Sequence, residues 1–375
     1  MKVWPFWVEG IKYHDQYLSE FMGDDRIKTV FACPNQSLSE YSSFVEPKKN
    51  DAYNYNMHFL KFVSLFNKPI PYEFLKFSKF INTYSPDVIH IFGISNFTTI
   101  FTFISIYFSK FKGQIIFNDH SDPNERKKGI IPGVYIILFF IFYKLIVKNR
   151  YEIIVPDESS KNEVIRRYGN ESSPKISVIP LGYDDRIFKF KSDFRSQKTQ
   201  LRIGFAGKLL PPKRIELLIK AIESFQTDDI ELIIAGINPD NTSDYQKNLI
   251  EYVKENNITN IKFEKFLPTP KSLAAFYSTL DLAVFPGSIS ITTFEANGCG
   301  CPVIIYNSYF GLEHRVSELR GRLFQDLDEL IAFIKYYKEL KITSKIEHEL
   351  ISKESSVYSW RNIKYKYYEK YKFVD

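Results

Sequence analysis

Two lysines five positions apart follow an apolar run near the middle of the 375-residue chain. The run, LRIGFAG, ends at Gly207 and is followed by Lys208 and, across a double-proline turn, by Lys213. Because glycine has no side chain, the backbone at Gly207 can approach a ligand closely. Two ammonium groups at this spacing can converge on one phosphate pair and neutralise the charge of a departing diphosphate. They can equally be two solvated surface lysines.

A second stretch, PGSISITTFEANG, has the composition of an anion-binding loop followed by a helix. Gly287, Ser288 and Ser290 are small, and the two threonines after them can begin a helix whose amide groups and positive end favour an anion. Glu295 falls in the first turn or so of that helix. Its carboxylate either stabilises the start of the helix or accepts hydrogen bonds from ribose hydroxyls.

The elements that must position these residues follow from the alternation of short apolar runs and amphipathic stretches. This alternation predicts parallel sheets with helices on both faces. Strands are predicted at 2–7, 27–32, 87–92, 114–118, 152–156, 176–180, 201–206, 230–235, 261–266, 281–285 and 303–306. Helices are predicted at 72–83, 97–111, 134–148, 159–168, 214–225, 244–255, 270–278, 292–298 and 327–337, with another after Gly10.

A polar stretch that follows the sixth strand divides this series into two. We therefore predict an α/β protein with two doubly wound, Rossmann-like domains that face a cleft, where such folds bind ligands. The predicted boundaries are 1–185 for an acceptor-binding domain, 186–200 for a linker, 201–355 for a nucleotide-sugar-binding domain and 356–375 for a final helix.

Composition narrows the function classes. The chain is 44% hydrophobic and 25% charged, as expected of a globular protein. Its formal charge of +6 suits an anionic substrate or membrane surface without requiring either. Three cysteines and the lack of a signal peptide predict a reducing cytoplasm. The first strand is not followed by G-x-G-x-x-G, which argues against an NAD oxidoreductase. The basic residues lie on one side of the predicted first domain and not along a base-stacking sheet, which argues against a nucleic-acid-binding protein.

Together the two stretches resemble the nucleotide-sugar site of the family 4 retaining glycosyltransferases, which have the GT-B fold. That family has an Arg and a Lys five positions apart after the first strand of its second domain. Here Lys208 takes the place of the Arg, keeping the charge but losing the planar fork, and Lys213 matches the Lys. The family also has two glutamates eight apart. Glu295 matches the second, which binds ribose, whereas Gly287 occupies the position of the first, which contacts the donor sugar.

The resemblance spans nearly all of the chain and implies a complete site. It places amides near Gly10 against the phosphates, main-chain groups near Phe266 and Leu267 against the nucleobase, and His120 beside the reacting sugar. In such enzymes the last helix, here with Trp360 as its packed anchor, crosses back to the first domain. The implied catalytic residues are His120, Lys208 and Lys213. The implied donor-binding residues are Gly10, Gly207, Lys208, Lys213, Phe266, Leu267, Gly287, Ser288, Ile289, Ser290, Ile291 and Glu295.

The activity implied by the resemblance is transfer of a hexose from a UDP- or GDP-sugar to a glycan or lipid-linked acceptor in bacterial surface polysaccharide synthesis, such as lipopolysaccharide or capsule. Neither a metal nor another cofactor is required by the fold. Two alternatives stay open: a GT-B nucleotide-sugar epimerase or hydrolase, and a non-catalytic subunit that binds nucleotide-sugar. The missing first glutamate motivates the second of these.

An apolar stretch at residues 130–147 raises the question of a membrane. It is interrupted by Pro132, Gly133 and Lys144 and falls short of the roughly 20 apolar residues of a spanning helix. It is therefore either a helix packed inside the first domain or one lying at a membrane interface. Because cations outnumber anions around it, we expect peripheral contact with an anionic membrane, at the inner face of the cell membrane.

Overall fold

The computed structural model describes residues 2–5, 29–34, 55–60, 62–65, 68–71, 74–92, 94, 97–119, 137, 141, 151–169, 175–194, 200–225, 229–238, 243–288, 290–343 and 346–371. The chain forms two compact units. The first comprises Met1–Leu181 together with Ile363–Asp375, and the second comprises Gly182–Asn362.

The first unit is built on a seven-stranded parallel sheet in the order β3-β2-β1-β6-β7-β8-β9. Its strands are β1 (Lys2–Pro5), β2 (Thr29–Pro34), β3 (Tyr55–Leu60), β6 (Val88–Phe92), β7 (Gln114–Asn118), β8 (Tyr151–Val155) and β9 (Ile176–Val178), with an antiparallel hairpin of β4 (Phe62–Leu65) and β5 (Lys68–Pro71). The described helices are α1 (Phe74–Tyr84), α2 (Phe97–Tyr107) and α3 (Glu158–Tyr168). Apolar side chains of the central strands and of these helices form one core.

The second unit has a six-stranded parallel sheet in the order β12-β11-β10-β13-β14-β15. Its strands are β10 (Leu201–Ala206), β11 (Ile230–Ile237), β12 (Ile261–Lys265), β13 (Leu282–Phe285), β14 (Val303–Tyr306) and β15 (Gly321–Phe324). Its helices are α4 (Ile215–Glu223), α5 (Asp244–Glu255), α6 (Pro270–Ser278), α7 (Thr292–Gly298), α8 (Leu327–Ile342) and α9 (His348–Ser355). The strand order reverses between β10 and β13, which is where an open α/β sheet binds its ligand.

The last helix, α10 (Trp360–Lys370), starts in the second unit and ends in the first. Its start is anchored by Trp360, which is 2% exposed and covers Gly182 so closely that a Cβ there would lie 2.7 Å from the indole. At its other end, the Asn118 side chain donates to the Tyr367 hydroxyl across 3.2 Å. The expected return of the final helix to the first domain is therefore observed, although Trp360 itself packs within the second unit.

The predicted linker at 186–200 is wrong in part, because its first residues are packed into the second unit. Phe188 is 1% exposed and belongs to that unit's core, together with Tyr183 just before it. The Phe188 side chain fixes this part of the polar stretch on the core, while the charged residues beside it stay exposed. The unit accordingly begins at Gly182 and extends to Asn362, beyond the predicted 201–355.

None of the helices in the described part of the chain is long and apolar enough to cross a membrane. Of the apolar stretch 130–147, only Ile137 and Ile141 are described. Both are helical and exposed, at 62% and 48%.

Candidate functional site

The candidate site lies where β10 and β13 end, at the reversal of strand order. After β10 the chain makes a single 3₁₀ turn, Pro211–Lys213, which ends at Arg214 in the left-handed conformation (φ 51°, ψ 42°). This conformation is rare for a residue with a side chain. The left-handed backbone at Arg214 ends the 3₁₀ turn, and α4 begins at the next residue. The short turn that carries Lys213 therefore lies close to the end of β10.

This turn packs directly on the loop that follows β13. The Ser288 amide donates to the Pro212 carbonyl across 2.7 Å. A Cβ built on Gly287 would overlap that carbonyl oxygen and lie 2.6 Å from the Lys213 carbonyl carbon. Backbone therefore meets backbone here, and only glycine fits the position. The residue at which this chain departs from the resembled family is the one on which the contact depends.

Lys213 is held at this contact by its own side chain. Its Nζ donates to the Ser288 carbonyl across 2.6 Å, and the side chain is half-buried. The structure thus brings together Lys213, Gly287 and Ser288, which sequence reasoning placed in one site. Lys208 lies just beyond Gly207 at the end of β10, is exposed, and makes no hydrogen bond or ion pair with the described residues.

The remainder of the loop is organised by hydroxyl groups. The Ser290 and Thr292 side chains share a hydrogen bond of 2.7 Å, and the Thr293 hydroxyl donates to the Ser290 carbonyl across 3.3 Å. Ile291 precedes the first residue of α7. Glu295, in the first turn, is only 5% exposed. Burial, with a smaller contribution from the Glu295 carboxylate, raises the pKa of Tyr277 well above its ordinary value.

Sequence reasoning missed Arg315, which holds the same loop from its other end. Its Nη1 donates to the Ser290 carbonyl across 3.0 Å and to the Thr293 hydroxyl across 2.8 Å. Its guanidinium lies 4.7 Å from the centre of the Phe294 ring, and the residue is 4% exposed. A buried arginine needs such partners. The only available signal was its charge, since it follows Ser290 by 25 positions and fits no motif.

The candidate base-binding segment follows β12, two strands away from β10 in the sheet. The Phe266 amide donates to the Ile237 carbonyl across 2.8 Å, its ring is 36% exposed, and Leu267 packs partly against the core. This places the segment at the same carboxyl edge of the sheet as Lys213. Gly10, His120 and Ile289 lie outside the described residues.

Within the described residues no cluster of three or more His, Cys, Asp or Glu side chains could hold a metal ion. Cys299 and Cys301, which are close in sequence, are both fully buried thiols in the core of the second unit. Their burial among apolar side chains identifies both as core residues.

Residues 186–352 match the family described as Glycosyl transferases group 1. The match lies within the second unit and covers most of it. The matched range contains both lysines, the loop after β13, Glu295 and Arg315. The loop after β13, with Lys213 and Arg315 that hold it, therefore lies in the part of the chain that matches this family, and the match confirms the resemblance stated from the sequence.

Among curated relatives of this chain, a probable sucrose-phosphate synthase from Thermosipho melanesiensis is 28% identical over 209 residues, covering 53% of this chain and 46% of that protein. The chain spans about half the length of the curated relatives it matches.

Solved glycosyltransferase structures match the chain over nearly its whole length. Anabaena HepE, crystallised in complex with UDP and in another crystal with UDP-glucose, gives a TM-score of 0.74 at 13% identity, with 98% of each chain covered. The lipopolysaccharide outer core galactosyltransferase WaaB gives 0.68 at 14% identity, with 99% of this chain and 100% of that chain covered. The predicted α/β, GT-B fold is therefore confirmed.

Proposed function

We propose that the chain is a retaining glycosyltransferase that moves a hexose from a nucleotide-sugar to a glycan or lipid-linked acceptor. The observation that carries this proposal is the contact of Lys213 with the Gly287–Ser288 backbone at the strand-order reversal of a group 1 glycosyltransferase domain. This contact places a cation beside a small-residue loop, which is an arrangement that binds a diphosphate.

In the proposed mechanism the chain acts on the leaving group. The acceptor hydroxyl attacks the anomeric carbon on the face from which the diphosphate departs, so the new C–O bond forms as the old one breaks and configuration is retained. The departing phosphate oxygen takes the hydroxyl proton. Lys213 stabilises the charge on the diphosphate, exposed Lys208 adds to it, and Glu295 accepts hydrogen bonds from the ribose. His120 positions the sugar or acceptor.

We propose a UDP-sugar as the first donor to test, with a GDP-sugar second. HepE, which shares the fold, was crystallised with UDP and with UDP-glucose. In this chain the exposed ring of Phe266 and the main chain around Leu267 lie on the edge of the sheet where a base would bind. The first unit is assigned to the reacting end of the acceptor, as in the resembled family.

We further propose a role in bacterial surface polysaccharide synthesis, with the enzyme at the cytoplasmic face of an anionic membrane. The likeness to WaaB supports this role at the level of fold. The first unit also exposes apolar side chains close to lysines. Leu75, Tyr107 and Phe108 are 59%, 62% and 53% exposed, the rings of Tyr107 and Phe108 are in contact, and Lys110 follows them in the chain. Such a surface suits lipid headgroups.

Transfer from radiolabelled UDP- and GDP-sugars into a bacterial membrane extract tests the proposal. Removing one preorganised charge from the leaving group should lower kcat/KM by about 100-fold or more in Lys213→Ala. The matched control is Lys220→Ala, an exposed lysine on α4, which should stay within about twofold of the parent. Transfer by Lys213→Ala at the parent's rate would refute the mechanism.

A second candidate is a non-catalytic subunit that binds nucleotide-sugar. It is favoured by the close packing at Gly287, which leaves no side chain where the resembled family contacts the donor sugar. Binding of UDP without turnover of any donor would support this candidate. Consumption of donor in the absence of acceptor would instead identify an epimerase or hydrolase.

A further inference from the structure

A cleft of ≈ 490 Å³ opens in the second unit at the carboxyl ends of β14 and β15. This volume is within the range of small-molecule sites. The residues that line it are Tyr306, Asn307, Tyr309, Phe310, Glu313 and Gln325. None of them belongs to the donor site described above.

The lining combines three aromatic rings with three side chains that form hydrogen bonds. The side chains of Asn307, Glu313 and Gln325 make no hydrogen bond to other described residues. Amides and carboxylates pair with adjacent hydroxyl groups, and aromatic rings stack on C–H faces, so this combination matches a sugar ring. Glu313 is the only charged side chain among the described lining residues, which disfavours a phosphate. We propose that the cleft binds a neutral carbohydrate unit.

One aromatic side chain of the cleft, Tyr306, is packed against its neighbours, and another, Phe310, is exposed. The Tyr306 ring lies 5.5 Å from that of Phe324, and the Arg214 guanidinium is 4.2 Å from the centre of the Tyr306 ring. Phe310, by contrast, is 66% exposed. An exposed phenylalanine on a loop beside hydrogen-bonding groups loses water contact only when a ligand covers it.

The position of the cleft identifies the carbohydrate as part of the acceptor glycan. Arg214, which packs on Tyr306, directly follows Lys213 of the donor site. The cleft therefore flanks that site along the same edge of the sheet. A glycan held there would extend away from its reacting end. This assignment to the acceptor rests on the proposed function, whereas carbohydrate binding itself rests only on the cleft.

The full-length protein can be tested on an array of printed glucose, galactose, mannose and N-acetylhexosamine oligosaccharides. At least one glycan should be retained by the parent, and Phe310→Ala and Gln325→Ala should each weaken its binding by about tenfold. Tyr336→Ala, which removes a ring 39% exposed on α8, is the control and should bind like the parent. All variants should melt within about 2 °C of the parent, since they change exposed side chains.

The carbohydrate site and the proposed glycosyltransferase function can be refuted independently. Retention of no glycan by the parent, or equal retention by Phe310→Ala, would overturn the carbohydrate site even if UDP is bound and sugar transferred. Glycan retention lost in Phe310→Ala, with no transfer from any donor, would uphold the site and refute the proposed function. Glycan binding that survives in Lys213→Ala is expected, because Lys213 does not line the cleft.

Discussion

Gly287→Ala is the substitution that most directly tests how the proposed donor site is built. The added Cβ would lie 2.6 Å from the Lys213 carbonyl carbon and overlap the Pro212 oxygen. Both atoms belong to backbone, so neither can rotate away. The turn and the loop must separate, and Lys213 must move with the turn.

The size of the effect follows from these distances. Ordinary contact begins at 3.4 Å, so the separation must grow by at least about 0.8 Å (3.4 − 2.6), since the overlap with the Pro212 oxygen is the more severe. This stretches the Ser288–Pro212 hydrogen bond from 2.7 Å to at least about 3.5 Å, where little of its energy remains. Overpacking costs about 1–3 kcal/mol and the hydrogen bond about 1 kcal/mol. We expect a loss of about 2–4 kcal/mol and a melting temperature about 5–15 °C lower.

Displacing the Lys213 ammonium should also weaken UDP binding by about tenfold or more, since a hydrogen bond to a charged group contributes about 1.5–3 kcal/mol. Calorimetry measures both quantities, melting by scanning and UDP affinity by titration. Because both substitutions act on Lys213, their effects on UDP affinity should be far from additive in the Lys213→Ala, Gly287→Ala double variant.

Gly169→Ala is the matched control for destabilisation alone. Gly169 follows α3 at φ 86° with open space around its Cβ position. Alanine there is strained by roughly 1–2 kcal/mol but touches nothing in the site, so stability should fall while UDP affinity stays constant. If Gly287→Ala melted and bound UDP like the parent, the close approach would have no role in building the site.

Three further substitutions follow from buried or paired charges. Arg315→Lys should cost about 2–3 kcal/mol in urea unfolding, because a lysine cannot reproduce the buried guanidinium's two contacts. Asp281→Ala should cost about 3–5 kcal/mol, since it leaves Lys341, now 2.8 Å from that carboxylate and 12% exposed, without its ion pair. Hydrogen bonding by Arg166, then by the arginine after it, lowers the pKa of Glu163 from 4.5 to about 2. The folded state favours the carboxylate, so its stabilisation is present above pH 4.5 and is lost as pH falls towards 2. Because Arg166 is 61% exposed and solvent screens the pair, Glu163→Gln should remove only about 1 kcal/mol of this acid-sensitive stability, measured by unfolding across that pH range.

Much of the fold was predictable from the hydrophobic pattern of the sequence, because central strands and amphipathic helices have strong patterns of this kind. The predicted ends of β10, α5, α6 and α7 coincide with the observed ones. The prediction missed β15, whose sequence GRLF has only two apolar residues and forms an edge strand. It also missed the hairpin of β4 and β5, and it ended α8 at 337, where a charged but helical segment continues to Ile342.

The site was predictable only as far as local motifs extend. The lysine spacing and the small-residue loop indicated Lys213 and Ser288 as candidate site residues. Their contact, however, joins residues 75 positions apart. No pattern within either stretch specifies that distance. Arg315 was missed because a buried arginine is defined by its partners, and these became visible only once the chain was folded.

The packing at Gly287 gives a structural reason why glycine stands where the resembled family has its first glutamate. The loop after β13 is held by Lys213 at the Ser288 carbonyl and by Arg315 at the Ser290 carbonyl. Carbonyl oxygens are neutral, so these hydrogen bonds fix two cations in place without cancelling their charge. A glutamate at position 287 would add a negative charge beside them and push the turn away. Glycine instead keeps the turn against the loop, so Lys213 is already in place for the diphosphate of the proposed mechanism.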